Sequence, residues 1–409
     1  MALISVQEAQ AKIRRFVQVA ESEKVPLSEV SGRVTANGIV ATFPQPRFNN
    51  TAMDGFALRA ADTMEASQNF PVRLALKGTI SAGGTSDFEI GHGECCQIMT
   101  GAPMPAGADA VVKVEDTSGF ETTENVEIFA VVEEGQNVRY SGEEISKGQI
   151  LIEPGKRLGA GEIGVAATFG YDRVEVYGQP RVVLFATGDE LIEPGISLGD
   201  AQIYNSNLYV FSELSDRVGA EVSEREVLKD SRESLKSFLK GVIGKSDLVV
   251  SSGGVSMGKH DYVRDVFLEI GVEEHFWRVA QKPGGPFFFG TGGGTLIFGL
   301  PGNPVSSFIC FMEYVWPVCE LMSGLKPAEK VTATLETSFP REPVKHRFLP
   351  GTIRVDDGRL KASPTEKLGS HMFSSSLVTN AILEAAPGKS FLEPGAPVSA
   401  RLLPWCGLK

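Results

Sequence analysis

Three stretches of the chain place carboxylates and hydroxyls directly behind apolar runs: TGDE at 187–190, SSGGVSMGKHD at 251–261 and GLPGNPVSS at 299–307. Together they carry Asp189, Glu190 and Asp261, with the hydroxyls of Thr187, Ser251, Ser252, Ser256 and Ser306. Their glycines, Gly253, Gly254, Gly258 and Gly302 among them, let backbone N–H groups face a ligand. A glycine-rich loop running into a helix N-terminus makes a bed for an anion. Carboxylates beside such a bed repel phosphate unless a hard cation lies between, so the mixture points to a phosphorylated ligand with Mg²⁺. Singly, each stretch reads as a tight strand-to-helix turn. None matches GxxxxGK[ST] or GxGxxG, which counts against ordinary ATPase and dinucleotide-binding readings.

The elements that must position these residues are legible between 179 and 327. RVVLFA, EVSEREVL, DLVVSS, HFWRVA and TLIFGL read as strands. SNLYVFSELSDRVG (ending at Gly219), DSRESLKSFLKGVIG and YVRDVFLEIG read as helices between them. Strands alternating with helices predict a mostly parallel α/β sheet whose ligands sit at the C-terminal strand ends. Asn303 before Pro304 reads as a helix start, with Asn as the cap. Asp230 and Glu233 read as a capping box that can also face a cleft. FWRVAQKPGGPF adds Arg278 and Lys282 near the anion site, while His260 and His275 read as structural.

The rest of the chain differs in texture. SVQE predicts a capping box at Ser5 and Glu8. Residues 49–140 are glycine-rich with short strands, a small β domain. Residues 328–409 are short alternating runs, a small β sandwich or barrel. In the β region, RFNNTAMDGFAL carries Asp54, whose default reading is a turn-forming side chain, and IMTGAPMPAGADAVV exposes Thr100 on an elbow.

With 409 residues, 42% hydrophobic and 22% charged, the composition is that of an ordinary globular protein of several domains. A net charge of −12 argues against a general nucleic-acid binder. The apolar stretch NPVSSFICFMEYVWPVCELMSG is broken by Ser306, Ser307, Glu313, Pro317 and Glu320, so it reads as a buried helix rather than a membrane span. The five cysteines have no zinc-like spacing. With no apolar signal core at the start, a cytoplasmic protein is expected.

NNTAMDGFA, MTGAPMPAGADAVV, ATGDEL, QIYNSN, SSGGVSMGKHDY, KPGGPF and GLPGNPVSS, in this order, resemble the molybdopterin molybdotransferase (molybdenum insertase) family, to which the C-terminal domain of gephyrin also belongs. The resemblance implies an α/β multidomain chain with a central, mostly parallel, three-layer molybdopterin-binding domain. Its layout is an elongated α+β dimerisation segment at 1–48 and 141–178, an inserted β domain at 49–140, the α/β domain at 179–327 and a C-terminal β barrel at 328–409. It implies a homodimer whose cleft joins the α/β domain of one subunit to the inserted domain of the other. The implied reaction inserts molybdate into adenylylated molybdopterin with Mg²⁺-dependent release of AMP. Hand-over contacts with the adenylyltransferase and with cofactor-accepting enzymes follow from it.

Carried over by motif position, Asp54, Thr100, Glu190, Asp230 and Asp261 are the expected catalytic residues, with Glu190 and Asp261 on the metal. Pro301 and Pro304 match functional positions as well. The pyrophosphate would lie against Thr187, the amides of 252–258 (Ser252, Gly253, Gly254, Ser256 and Gly258) and the turn of Gly302, Asn303 and Ser306. Molybdate, a tetrahedral dianion, wants cations and amides, for which Lys282, Arg278, Arg347 and Ser370 are candidates. One departure stands out: the family often has KPGKP where this chain has KPGGP, so Gly285 replaces a lysine. That leaves room for a paralogue with altered metal preference, such as tungstate, or with lower activity, while gephyrin's place in the family keeps a non-catalytic pterin-binding scaffold as a second alternative. A general nucleotide-phosphate hydrolase suits the loops but not the upstream motifs.

Overall fold

The computed structural model describes residues 3–121, 124–255 and 262–407. Contacts divide the chain into two compact units, one of residues 1–37, 154–159 and 173–409, the other of 38–153 and 160–172. The residues expected to form the elongated segment are thus shared between both units.

In the larger unit, a six-stranded sheet runs in the order Glu221–Leu228, Arg181–Thr187, Leu248–Ser252, Thr295–Leu300, Phe288–Gly292, Glu273–Trp277. The first four strands are mutually parallel, and Phe288–Gly292 runs antiparallel to both neighbours. That reversed strand is an addition to the sequence reading. Gly293 and Gly294 close its hairpin at φ +58° and +89°, the left-handed pair a two-residue turn demands.

Side-chain alternation along Arg181–Thr187 explains the layering. Val182, Leu184 and Ala186 share a core with Leu208, Phe211 and Leu214 of the helix Asn207–Val218 and with the apolar helix after Pro304. Val183 and Phe185 point the other way, into Leu235, Leu239, Val263 and Phe267. A strand buried on both faces reads as a continuous apolar run, and helices on both faces give three layers.

The helix ends follow local chemistry. Ser5 and Glu8 form the expected capping box, with Ser5 N–H donating to Glu8 Oε2 at 2.8 Å. Gly219 ends Asn207–Val218 at φ +91°. The helix Arg232–Val242 is capped by Ser231, whose hydroxyl accepts from Ser234 N–H, and not by Asp230. Ser231 wins because one more residue of extended chain leaves the hydroxyl within reach of the N3 amide. Asn303 does stand at the cap position before Pro304, but its side chain makes no capping bond.

The apolar stretch Pro304–Met322 is long enough to cross a membrane by composition, yet 94% of its most apolar 18-residue window is buried. It is helical at both ends with a π segment at Phe311–Val315. Pro317 has no N–H, and its ring crowds the carbonyl of Glu313, which widens the helix there. The freed carbonyl accepts from Gln10 Nε2 at 3.4 Å, and the buried Glu313 carboxylate pairs with Arg401 at 2.8 Å.

Five strands of the C-terminal region close on themselves: His346–Asp356, Arg359–Pro364, Val331–Leu335, Pro397–Leu402 and Ala381–Ala385, the last pairing back to the first. This is the expected barrel. The short strand Gln281–Lys282 adds to its rim, parallel to His346–Asp356.

The smaller unit holds a five-stranded sheet ordered Ala110–Lys113, Gly55–Leu58, Glu94–Ile98, Val72–Ile80, Asn125–Ile128. Cys95 and Cys96 face its two opposite cores, and burial pushes both thiols up to about 12.

Candidate active site

A cavity of about 860 Å³ opens in the larger unit where the parallel strands end. Thr187, Glu190, Ser252, Gly253, Gly254, Pro301, Gly302, Asn303, Pro304 and Ser306 line it from three loops. Asp230 joins them from the loop after the edge strand, and Lys282, Arg347 and Ser370 from the barrel side. Followed across the sheet order, the wall passes from the carboxylates of Asp230 and Glu190, through amide-rich turns, to the cations Lys282 and Arg347.

The loops are stitched to one another. Asn207 Nδ2 donates to Ser252 Oγ at 2.8 Å and to the Gly302 carbonyl at 2.7 Å, tying two of the three turns together. Gly253 N–H donates to the Leu300 carbonyl at 3.0 Å. Gly254 stands at φ +69°, and a Cβ there would meet Val263 Cγ2 at 2.2 Å and Thr187 Oγ1 at 2.9 Å. Only glycine allows that approach. Asn303 Nδ2 donates to Ser370 Oγ at 3.1 Å, joining the third turn to the barrel.

At the acidic end, Glu190 and Asp230 are both exposed. Asp189 does not line the cavity; its carboxylate accepts from Asp230 N–H at 3.3 Å. At the basic end, Lys282 pairs in register with Arg347 across the parallel strands. Because side chains alternate, their neighbours Gln281 and His346 turn inward together. Gln281 is 1% exposed, and its Nε2 donates to the carbonyls of Pro283 and Gly284 at 3.2 and 3.1 Å. Tyr314 Oη donates to Gln281 Oε1. Arg347 is 6% exposed, and its Nε has no hydrogen-bond partner among the described residues.

Arg278 is not among the lining residues. It sits at φ +88° with its guanidinium 5.3 Å from the Trp277 ring centre. Ser256, Gly258 and Asp261, and His260 with them, lie outside the described residues. His275 is packed against Phe16 with ring centres 4.1 Å apart, and burial lowers its pKa, as a structural histidine should show.

Asp54 and Thr100 belong to the smaller unit. Gly55 pairs with Ile98 in antiparallel strands, which brings their flanking residues side by side. Thr100 donates to Asp54 Oδ1 twice, from its N–H and its hydroxyl, each at 2.7 Å. Those two bonds hold the Asp54 carboxyl below its ordinary value. The carboxylate is therefore aimed by Thr100 and not by its own turn.

Asn205, Ser206, Asn207, Pro283, Gly284 and His371 also line the cavity and were not named as site residues by sequence reasoning. The NSN run reads first as a helix N-terminus, and Asn205 Oδ1 does accept from Leu208 N–H at 3.3 Å, whereas the side chain of Asn207, inside the helix, is turned to the two loops instead.

Three family descriptions match the chain in order: the MoeA N-terminal region (domain I and II) over 4–170, a probable molybdopterin binding domain over 183–320 and the MoeA C-terminal region (domain IV) over 332–403. A molybdopterin molybdenumtransferase of Bacillus subtilis is 32% identical over 406 residues, 98% of this chain and 94% of that protein. The chain belongs to the molybdopterin molybdotransferase family. A family relative from Staphylococcus epidermidis is 36% identical over 82% of this chain and 80% of its own length. Among solved family structures, the molybdopterin biosynthesis MoeA protein of Pyrococcus horikosii superposes with a TM-score of 0.85 at 29% identity, covering 98% of this chain and 99% of its own.

Proposed function

We propose that this chain is an enzyme that inserts molybdate into adenylylated molybdopterin and releases AMP. The observation that carries the reading is one cavity in which amide-rich strand ends lie between the carboxylates of Glu190 and Asp230 and the cations of Lys282 and Arg347. A substrate holding a phosphoanhydride and a separate metal oxyanion needs both ends. The amides of 252–255 and the turn at 301–306 receive the pyrophosphate and fix its direction. Asp189 orients the Asp230 loop through its backbone bond. Lys282, Arg347 and Ser370 draw the oxyanion to the opposite end. Ser256 and Gly258 continue the phosphate loop in sequence and are assigned to it on that ground, and Asp261 at the end of that loop is assigned to the metal.

Magnesium favours one or two carboxylates plus waters and substrate phosphates over an all-protein cage. The exposed pair Glu190 and Asp230, facing one cavity, is a donor set of that kind and would hold the ion. When bound, the ion neutralises charge on the phosphoanhydride oxygens. Among the described residues no group of three or more acidic, histidine or cysteine side chains is arranged for a metal.

Asp54 and Thr100 are assigned to catalysis in a homodimer, acting on the cavity of the neighbouring subunit. The layout 1–48 with 141–178, 49–140, 179–327 and 328–409 is the proposed functional division. A cytoplasmic setting is supported by five cysteines that are all free.

The test is reconstitution: purified full-length protein, adenylylated molybdopterin, Mg²⁺ and molybdate, with AMP and finished cofactor both followed. Release of AMP coupled to metal insertion is expected. Bound pterin without AMP release would mean a scaffold, and AMP release indifferent to the oxyanion would mean a simple hydrolase.

A further inference from the structure

We propose that Glu342 is a counter-ion latch on the oxyanion end of the cavity, a carboxylate that holds the Lys282 ammonium until a tetrahedral dianion displaces it. The proposal rests on the reading that Lys282 and Arg347 receive molybdate, and it names a residue that sequence motifs do not mark. Glu342 Oε1 lies 2.6 Å from Lys282 Nζ and 3.8 Å from Arg347 Nη1. It does not itself line the cavity, whereas both cations do. The carboxylate therefore draws on the two cations from behind the wall.

The two cations are not held equally. Arg347 is fixed by burial, and its Nε, unpartnered among the described residues, is a donor waiting for an acceptor. A buried guanidinium N–H without a partner is costly, so such a group points to a ligand that completes it. Lys282 is half-exposed on a flexible stem and can swing between two acceptors. An oxyanion seated at Arg347 competes with Glu342 for that ammonium. At equal distance a dianion attracts it about twice as strongly as a single carboxylate does.

Lys282 is also the one lysine of the KPGGP loop. Among the described residues it is the one lysine that lines the cavity, so whatever holds Lys282 back acts on that charge. The Glu342 carboxyl is kept ionised chiefly by its hydrogen bond to Lys282, which outweighs the opposing effect of partial burial. The latch is thus set whenever the cavity is free of anion.

Calorimetric titration of the full-length protein with sodium molybdate, without pterin, tests this. Glu342→Gln keeps the shape and removes the charge; it is expected to bind molybdate about two- to fivefold more tightly, the range for a partly solvated ion pair. Lys282→Gln should bind more weakly, and in that background Glu342→Gln should give little gain. Glu342→Ala, checked by its melting curve, guards against a folding defect in the first variant. Unchanged or weaker binding by folded Glu342→Gln and Glu342→Ala, with Lys282→Gln still weakened, overturns the latch alone. Equal molybdate affinity in wild type and Lys282→Gln overturns the latch together with the oxyanion reading beneath it.

Discussion

At the acidic end of the cavity, Glu190 and Asp230 stand on exposed loops beyond the strand ends, while at the basic end Lys282 and Arg347 stand on paired strands of the barrel rim. The difference follows from what each end must do. Like-charged carboxylates repel, so they gain from loops that can adjust around a hydrated cation and its phosphates. A site for a rigid tetrahedral dianion gains from donors fixed in advance, because a preformed donor spends no ordering entropy when the ligand arrives. Strand register fixes the two backbones and burial fixes the Arg347 side chain, while the Gln281 amide beneath holds the 283–284 turn by two carbonyls.

The largest effect should come from Arg347→Ala. Removing one partner from a buried charged contact costs about 2–5 kcal/mol, so molybdate affinity and turnover should fall by roughly 30-fold or more. Arg347→Lys should fail to restore them, since an ammonium lacks the planar fork; full rescue by lysine would break the contrast with the mobile Lys282. Next, Glu190→Gln should lower AMP release by about 10- to 100-fold, with part recovered at higher Mg²⁺ and molybdate binding untouched. If titration shows molybdate affinity falling too, the two ends are not separate.

Gln281→Leu should act more mildly. It removes the amide donor from the Pro283 and Gly284 carbonyls, the latter keeping the Cys310 thiol, and takes away the acceptor of the buried Tyr314 hydroxyl, costing about 1–3 kcal/mol of unfolding free energy in denaturant titration. The KM for molybdate should rise with kcat nearly unchanged, as expected of a positioning residue.

The smallest effect should follow Thr100→Val, which extends the comparison to a third carboxylate. One of two bonds to Asp54 is lost, so its pKa should rise toward the ordinary aspartate value in an NMR titration. A carboxyl with a lowered pKa stays ionised until pH falls through that lowered value. In the variant, the acid loss of activity should therefore begin at higher pH than in wild type. An unmoved Asp54 titration would show that the Thr100 N–H alone sets it.

Much of this was legible in the sequence, and the failures have physical causes. DLVVSS and RVVLFA gave their strands away because burial on both faces leaves no polar interruption. The three loops declared themselves through polar residues directly behind such runs. Phe288–Gly292 was missed because its apolar side chains lie next to KPGGP and its hairpin turn is only two glycines long. Arg278 is ambiguous in the sequence because a cation beside a strand end looks the same whether it meets a ligand or lies over Trp277. Asn207 was quoted within a motif but not singled out, since one amide bridging residues 45 and 95 positions away has no local signature. Glu342 was invisible for the same reason: its partner is 60 residues distant.

The Asn303–Ser370 bond, with the cavity wall on either side of it, has a thermal consequence. Any occupant that touches both the strand-end loops and Arg347 becomes a clamp between the α/β layers and the barrel, so their melting should merge into a single, hotter transition as the cavity fills.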